Sequence, residues 1–112
     1  MAYSGRSTMT ATFGSYIVSR RKELGISQKE LASKILKEED GKPITPQYLN
    51  DIEKDRRQPN SEHIINQFSK ALEVEADYLF YRSGIFPADV RQANMPREEV
   101  VQMFRAFRRT AK

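Results

Sequence analysis

Gln47, Asn50, Asp51 and Lys54 stand at i, i+3, i+4 and i+7 in the stretch PQYLNDIEK. That spacing aligns side chains along one side of an α-helix. The chemistry on offer is recognition. Gln and Asn amides can pair a donor and an acceptor with adenine in the major groove of DNA, and Asp accepts from the exocyclic amine of cytosine. Lys54, Arg56 and Arg57 follow at once, placed to hold backbone phosphates once such a helix is seated. The competing interpretation is a solvated polar helix face followed by a charged loop, since surface helices ordinarily carry one.

Other chemistries find little material. The chain has no cysteine, which excludes disulfides, thiolate zinc sites and cysteine nucleophiles. Its single histidine, His63, cannot form a histidine metal cluster alone and reads as a surface residue beside Glu62. Glu98 and Glu99 suit the dipole at the start of a helix and need no catalytic role. Tyr78, Phe80 and Tyr81 could stack on single-stranded bases, but their spacing suits packing of a short helix onto a core. No glycine-rich phosphate loop or nucleophile triad can be assembled. The expectation is a protein that is not an enzyme, with no cofactor and no metal.

A chain of 112 residues suits one domain with loose ends. The formal charge of +4 is a weak pointer to an anionic partner. Its distribution is more informative: Phe13 to Arg82 holds twelve Lys/Arg and twelve Asp/Glu, so the surplus lies in the tails. Nucleic-acid binding by the middle of the chain must therefore rest on arrangement. Nothing resembles a signal peptide or a membrane span, and a cytoplasmic location is expected.

The elements that must position the stripe are helices. Residues 1–12 form an expected flexible arm. Phe13, Ile17 and Leu24 keep helical spacing up to Gly25. SQKE at 27–30 is a capping box opening a second helix, with Leu31, Ala32, Ile35 and Leu36 as its apolar stripe. Thr45 is a good N-cap and Pro46 a good first residue for a third helix over 46–54. Ile64, Ile65, Phe68, Ala71 and Leu72 mark a fourth, and EADYLFYR a fifth that ends at Gly84. Pro96 starts a sixth, with Val100, Val101, Met103, Phe104 and Phe107 on its apolar side. With no strand pattern the class is all-α, divided into the arm, a domain over 13–84 and an extension over 85–112.

RRKELGISQKELA followed by ITPQYLNDIEKDRRQP resembles the Xre/Cro-type, lambda-repressor-like helix-turn-helix family. The resemblance runs roughly from Phe13 to Gly84 and implies a five-helix domain whose third helix enters the major groove, here with a sixth helix added. Carried across, it makes Gln28 a phosphate contact at the start of the second helix. It makes Gln47 and Asp51 base readers, with Asn50 between them on the same face. Arg21 and Glu53 match a largely buried ion pair joining the first and third helices. With Thr45, Lys54, Arg56 and Arg57 added, the expected phosphate set is complete.

Two departures stand out. The family joins its second and third helices by a tight turn, yet Ala32 and Ile44 stand roughly seven residues further apart than such a turn allows. KEEDGK at 37–42 is then an insertion that lengthens the second helix or its loop, with its acidic residues pointing away from DNA. Asp55 stands where glycine commonly ends the third helix, a place where Asp is tolerated.

The expected function is a sequence-specific DNA-binding transcriptional regulator. In this reading it is a repressor that binds a pseudo-palindromic double-stranded operator as a homodimer. Tyr81, Val100, Phe104 and Phe107 are the expected dimer or partner contacts. The alternative is an antitoxin or other module whose C-terminal helix binds a second protein through residues 85–112.

Overall fold

A computed structural model describes residues 12–111 of the chain. The expected arm lies outside the described residues except for Thr12. Seven helices follow in order among those described: α1 Phe13–Glu23, α2 Gln28–Lys34, α3 Pro46–Glu53, α4 Glu62–Leu72, α5 Ala76–Ser83, α6 Ala88–Arg91 and α7 Arg97–Thr110. The expected sixth helix is α7, and the single turn α6 lies in the connector before it. No helix among the described residues is long and apolar enough to cross a membrane.

Local chemistry sets the helix starts. Thr12 and Ser15 form a capping box for α1, and Ser27 and Glu30 form one for α2. Thr45 caps α3 by accepting from Tyr48 N, with Pro46 in the first turn, and Ser61 caps α4 by accepting from Ile64 N. Helices α1 to α5 then close on one core. Ile17, Leu31, Ile35, Leu49, Ile52, Ile65, Phe68, Leu72 and Leu79 are fully enclosed in it. Phe13 meets Phe68 edge-on, with ring centroids 5.8 Å apart. Helix α3 packs against both α1 and α2, so its apolar side is held from two directions. Tyr16 packs edge-on to Tyr78; burial, and then the neighbouring Tyr78 hydroxyl, raise the Tyr16 pKa.

The insertion after α2 belongs to the loop. Helix α2 stops at Lys34, and Ile35 turns into extended backbone. Leu36 and Pro43 form an isolated antiparallel bridge, Lys37 N donates to Lys42 O at 2.8 Å, and Ile44 N donates to Ile35 O at 2.9 Å. The result is a small hairpin that turns through Gly41 at φ 69°. Asp40 accepts from Lys42 N and pairs with Lys37, and these contacts hold its carboxyl below the ordinary range. The hairpin stem is fastened to α4 at Leu36, whose N–H donates to Gln67 Oε1 at 3.1 Å and whose carbonyl lies 2.8 Å from His63 Nε2. His63, at the surface as expected beside Glu62, is also a fastening for the insertion.

The start of α1 lies against the end of α3, and two residues make that approach feasible. Asp55, at φ 60°, turns the chain away from α3. Its Oδ1 accepts from Gly14 N at 3.1 Å and its Oδ2 from Thr12 Oγ1 at 2.7 Å. The carboxylate therefore caps a helix 41 residues earlier in the chain. Gly14 is needed because a Cβ there would lie 2.6 Å from both Asp55 Oδ1 and Glu53 O, and closer still to Ile52 O.

Gly14→Ala is expected to destabilise the fold by about 1–3 kcal/mol, the usual cost of forcing an atom into packed backbone. Urea unfolding with an unchanged midpoint would contradict the close approach. Asp55→Ala is expected to cost more than Asp55→Gly by about 1 kcal/mol, because both lose the cap but only alanine resists the left-handed backbone.

Candidate nucleic-acid interface

Helix α3 alternates a fully buried side with a polar one. Leu49 and Ile52 enter the core, while Gln47 is exposed and Asn50 and Asp51 are half-buried. The alternation follows from the helical repeat of PQYLNDIE. The three stripe residues are brought together, and each is held by a partner.

Behind the stripe lies the Arg21–Glu53 pair. Arg21 Nε donates to Glu53 Oε2 at 2.8 Å and Nη2 to Oε1 at 3.1 Å, a two-pronged contact with side chains 13% and 3% exposed. Arg21 Nη1 also donates to Ile26 O at 3.1 Å, so one guanidinium ties α1 to both α3 and the α1–α2 turn. Such a fork satisfies a buried carboxylate, and removing one partner strands the other, at a cost of about 3–5 kcal/mol.

Gln28, at the start of α2, joins this pair to the polar side of α3. Its Nε2 donates to Glu53 Oε1 at 2.8 Å and to Asn50 Oδ1 at 3.1 Å. Both amide hydrogens of Gln28 are thereby engaged inside the protein. A phosphate approaching the start of α2 would meet the Gln28 backbone rather than its amide.

Asp51 gathers the outer end. Gln47 Nε2 donates to Asp51 Oδ1 at 3.1 Å, and Arg56 Nε approaches the same oxygen at 3.4 Å. The backbone N–H groups of Arg56 and Arg57 donate to Asp51 O at 2.9 and 3.2 Å, which folds the basic segment back beside the helix end. Arg57 lies over the Tyr48 ring, 4.6 Å from its centroid. Lys54, Arg56 and Arg57 are all exposed there, as is Thr45 at the opposite end of α3. Tyr48 as a platform for Arg57 escaped the sequence reading, because nothing in the spacing of the two residues distinguishes it.

Glu38 and Glu39 of the hairpin border a small groove with Tyr48, Asn60 and Ser61. Gln47, Asn50 and Asp51 take no part in that groove.

The second surface of interest is apolar. Helix α7 buries none of its residues fully, and Met103, Phe104 and Phe107 are exposed along it. Tyr81 of α5 stacks on Phe107 with centroids 6.3 Å apart, and Phe86 meets Phe104 edge-on at 6.4 Å. A groove of about 610 Å³ runs between these rings, Phe80 and Val90. Val100 is half-buried and does not line the groove. The connector is anchored where Ala88 N donates to Glu62 Oε1 at 2.7 Å.

A helix-turn-helix family model matches residues 17–79 of the chain. Two uncharacterized HTH-type transcriptional regulators, from two strains of Mycobacterium tuberculosis, are each 32% identical over 80 residues, covering 70% of this chain. The chain spans about half the length of these curated relatives, 51% in each case. No solved structure is significantly similar to it. The matched span runs from Ile17 of α1 to Leu79 of α5 and contains the ion pair, the whole of α3 and its basic flank, so the chain belongs to the Xre/Cro-type helix-turn-helix family.

Proposed function

We propose that the chain is a sequence-specific DNA-binding transcriptional regulator, acting as a repressor on a pseudo-palindromic operator. The observation that carries this reading is the side of α3 that bears Gln47, Asn50 and Asp51, backed by the buried Arg21–Glu53 fork. In this reading the three side chains meet base edges. Phosphates are held by Lys54, Arg56, Arg57, Thr45 and the backbone N–H of Gln28. The regulator names borne by the Mycobacterium relatives support the role of transcriptional regulator. In this reading the site of action is the cytoplasm.

We assign the dimer to the surface of Tyr81, Phe104 and Phe107, whose exposed rings favour a partner, together with the half-buried Val100 of α7. Two copies paired there would set half-sites on one face of DNA, about 34 Å apart. The same surface also favours a second reading, in which residues 85–112 bind a different protein. Domain 13–84 then reads DNA in either case, and extension 85–112 supplies the partner contact.

Selection of bound fragments from a random duplex library at two salt concentrations tests the proposal, with an enriched, two-fold repeated sequence as the expected result. Recovery of no preferred sequence overturns it. Gln47→Ala is expected to relax preference at one base position by about 1–3 kcal/mol, whereas Arg57→Ala weakens all sequences alike and lowers the salt slope by about 1. Equal binding of every duplex by both variants would place the reading face elsewhere. Phe104→Glu is expected to shift the protein from dimer to monomer in sedimentation equilibrium; an unchanged dimer would remove α7 from the contact.

A further inference from the structure

Hydrogen bonds inside the protein determine which end of each amide on the polar side of α3 is left for a ligand. A carboxylate only accepts, so the Gln28 atom 2.8 Å from Glu53 Oε1 is its nitrogen. That nitrogen only donates, so the Asn50 atom 3.1 Å from it is Oδ1. Asn50 is thereby ordered with its oxygen committed to Gln28, and nothing among the described residues accepts from its Nδ2. The same logic orders Gln47. Its Nε2 serves Asp51 Oδ1, and nothing among the described residues donates to its Oε1. Asp51 keeps Oδ2, since Gln47 and Arg56 share its other oxygen.

We propose that the buried Arg21–Glu53 pair acts through Gln28 as a polarity relay. It turns the oxygen of Asn50 toward Gln28 and leaves both hydrogens of Nδ2 unengaged, which favours a keto base, guanine or thymine, while the free oxygens of Gln47 and Asp51 favour amino bases, cytosine or adenine. This rests on the DNA-reading assignment of α3 and adds which bases that face accepts. In the major groove guanine offers N7 and O6 and thymine offers O4, all acceptors, whereas cytosine offers only its amine and adenine sets an amine beside N7. An unconstrained asparagine pairs well with adenine because it supplies one donor and one acceptor. Asn50 has its oxygen turned toward Gln28, with one lone pair engaged there. Turning it over would set Nδ2 against Gln28 Nε2, donor facing donor, and leave a hydrogen of a half-buried amide without a partner. That costs on the order of tenfold in affinity. Gln28 and Glu53 are positioning residues here, acting on the base only through Asn50.

Duplex selection with the full chain, Asn50→Asp and Gln28→Met tests the relay. Asn50→Asp preserves shape and keeps the oxygen that Gln28 needs, but replaces the free NH2 by an acceptor. The parent is expected to enrich guanine or thymine at the position that responds to this variant. Asn50→Asp is expected to enrich cytosine or adenine there, a swing of at least about tenfold in relative affinity. Gln28→Met frees Asn50 to turn over, so discrimination at that one position narrows toward parity while the position read by Gln47 is unaffected. Should Gln28→Met not fold, the shape-preserving Asn50→Asp comparison decides alone. Adenine or cytosine there in the parent selection, no position that responds to Asn50→Asp, or a folded Gln28→Met as selective as the parent overturns the relay and leaves DNA reading by α3 intact. A parent selection without any enriched sequence instead removes the assignment on which the relay rests.

Discussion

Two charges taken out of water organise this molecule. Glu53 is 7% exposed, at the last turn of α3, where an ionised carboxylate is tolerable only with its lone pairs satisfied. Arg21 supplies a fork to both oxygens, and Gln28 adds a further donor. Each donor comes from a different helix, so meeting the electrostatic demand of one side chain brings α1, α2 and α3 to fixed relative positions. Hydrophobic packing alone is less directional. Leu49 and Ile52 hold α3 in the core, but helix packing leaves crossing angles a scatter of about 15–20°. The hydrogen-bonded fork narrows that freedom, and the orientation of α3 follows.

A second restraint acts at the end of the same helix. Asp55 leaves α3 through a left-handed backbone, and its carboxylate reaches the start of α1. Glycine would satisfy the backbone alone. Aspartate also neutralises free N–H groups of a helix that has no acid in its own first turn. Gly14 completes the arrangement by carrying no side chain into the gap. The ion pair and this capped contact hold α3 against α1 at two places.

Much of this was legible in the sequence because it was written in local rules. Ser27 with Glu30, and Thr45 with Pro46, mark helix starts by capping chemistry that needs only three or four neighbouring residues. The apolar periods of α3 and α4 pointed the right residues inward. The Arg21–Glu53 pair was legible only through family resemblance, since residues 32 apart in sequence carry no local sign of pairing. Four features were not legible. The Asp55 cap and the His63 and Gln67 fastenings join distant segments through single hydrogen bonds, which have no periodicity. The hairpin at 36–43 is one bridge long, too short for the alternation that reveals strands. The internal bonding of Gln28 was likewise hidden, because one side chain's capacity to donate twice says nothing about which acceptors it will find.

The hairpin also bears on how the chain tolerates change. Its ends are clamped by the Ile44-to-Ile35 hydrogen bond and by the ties of Leu36 to α4, so the core receives the same two strands of backbone whatever lies beyond them. Lengthening the tip at Glu38–Gly41 therefore adds only loop-closure entropy, about 0.6 kcal/mol for each doubling, and transmits no displacement to α2 or α3. Here the fold has an expansion joint, where sequence can accumulate beside α3 without disturbing its alignment.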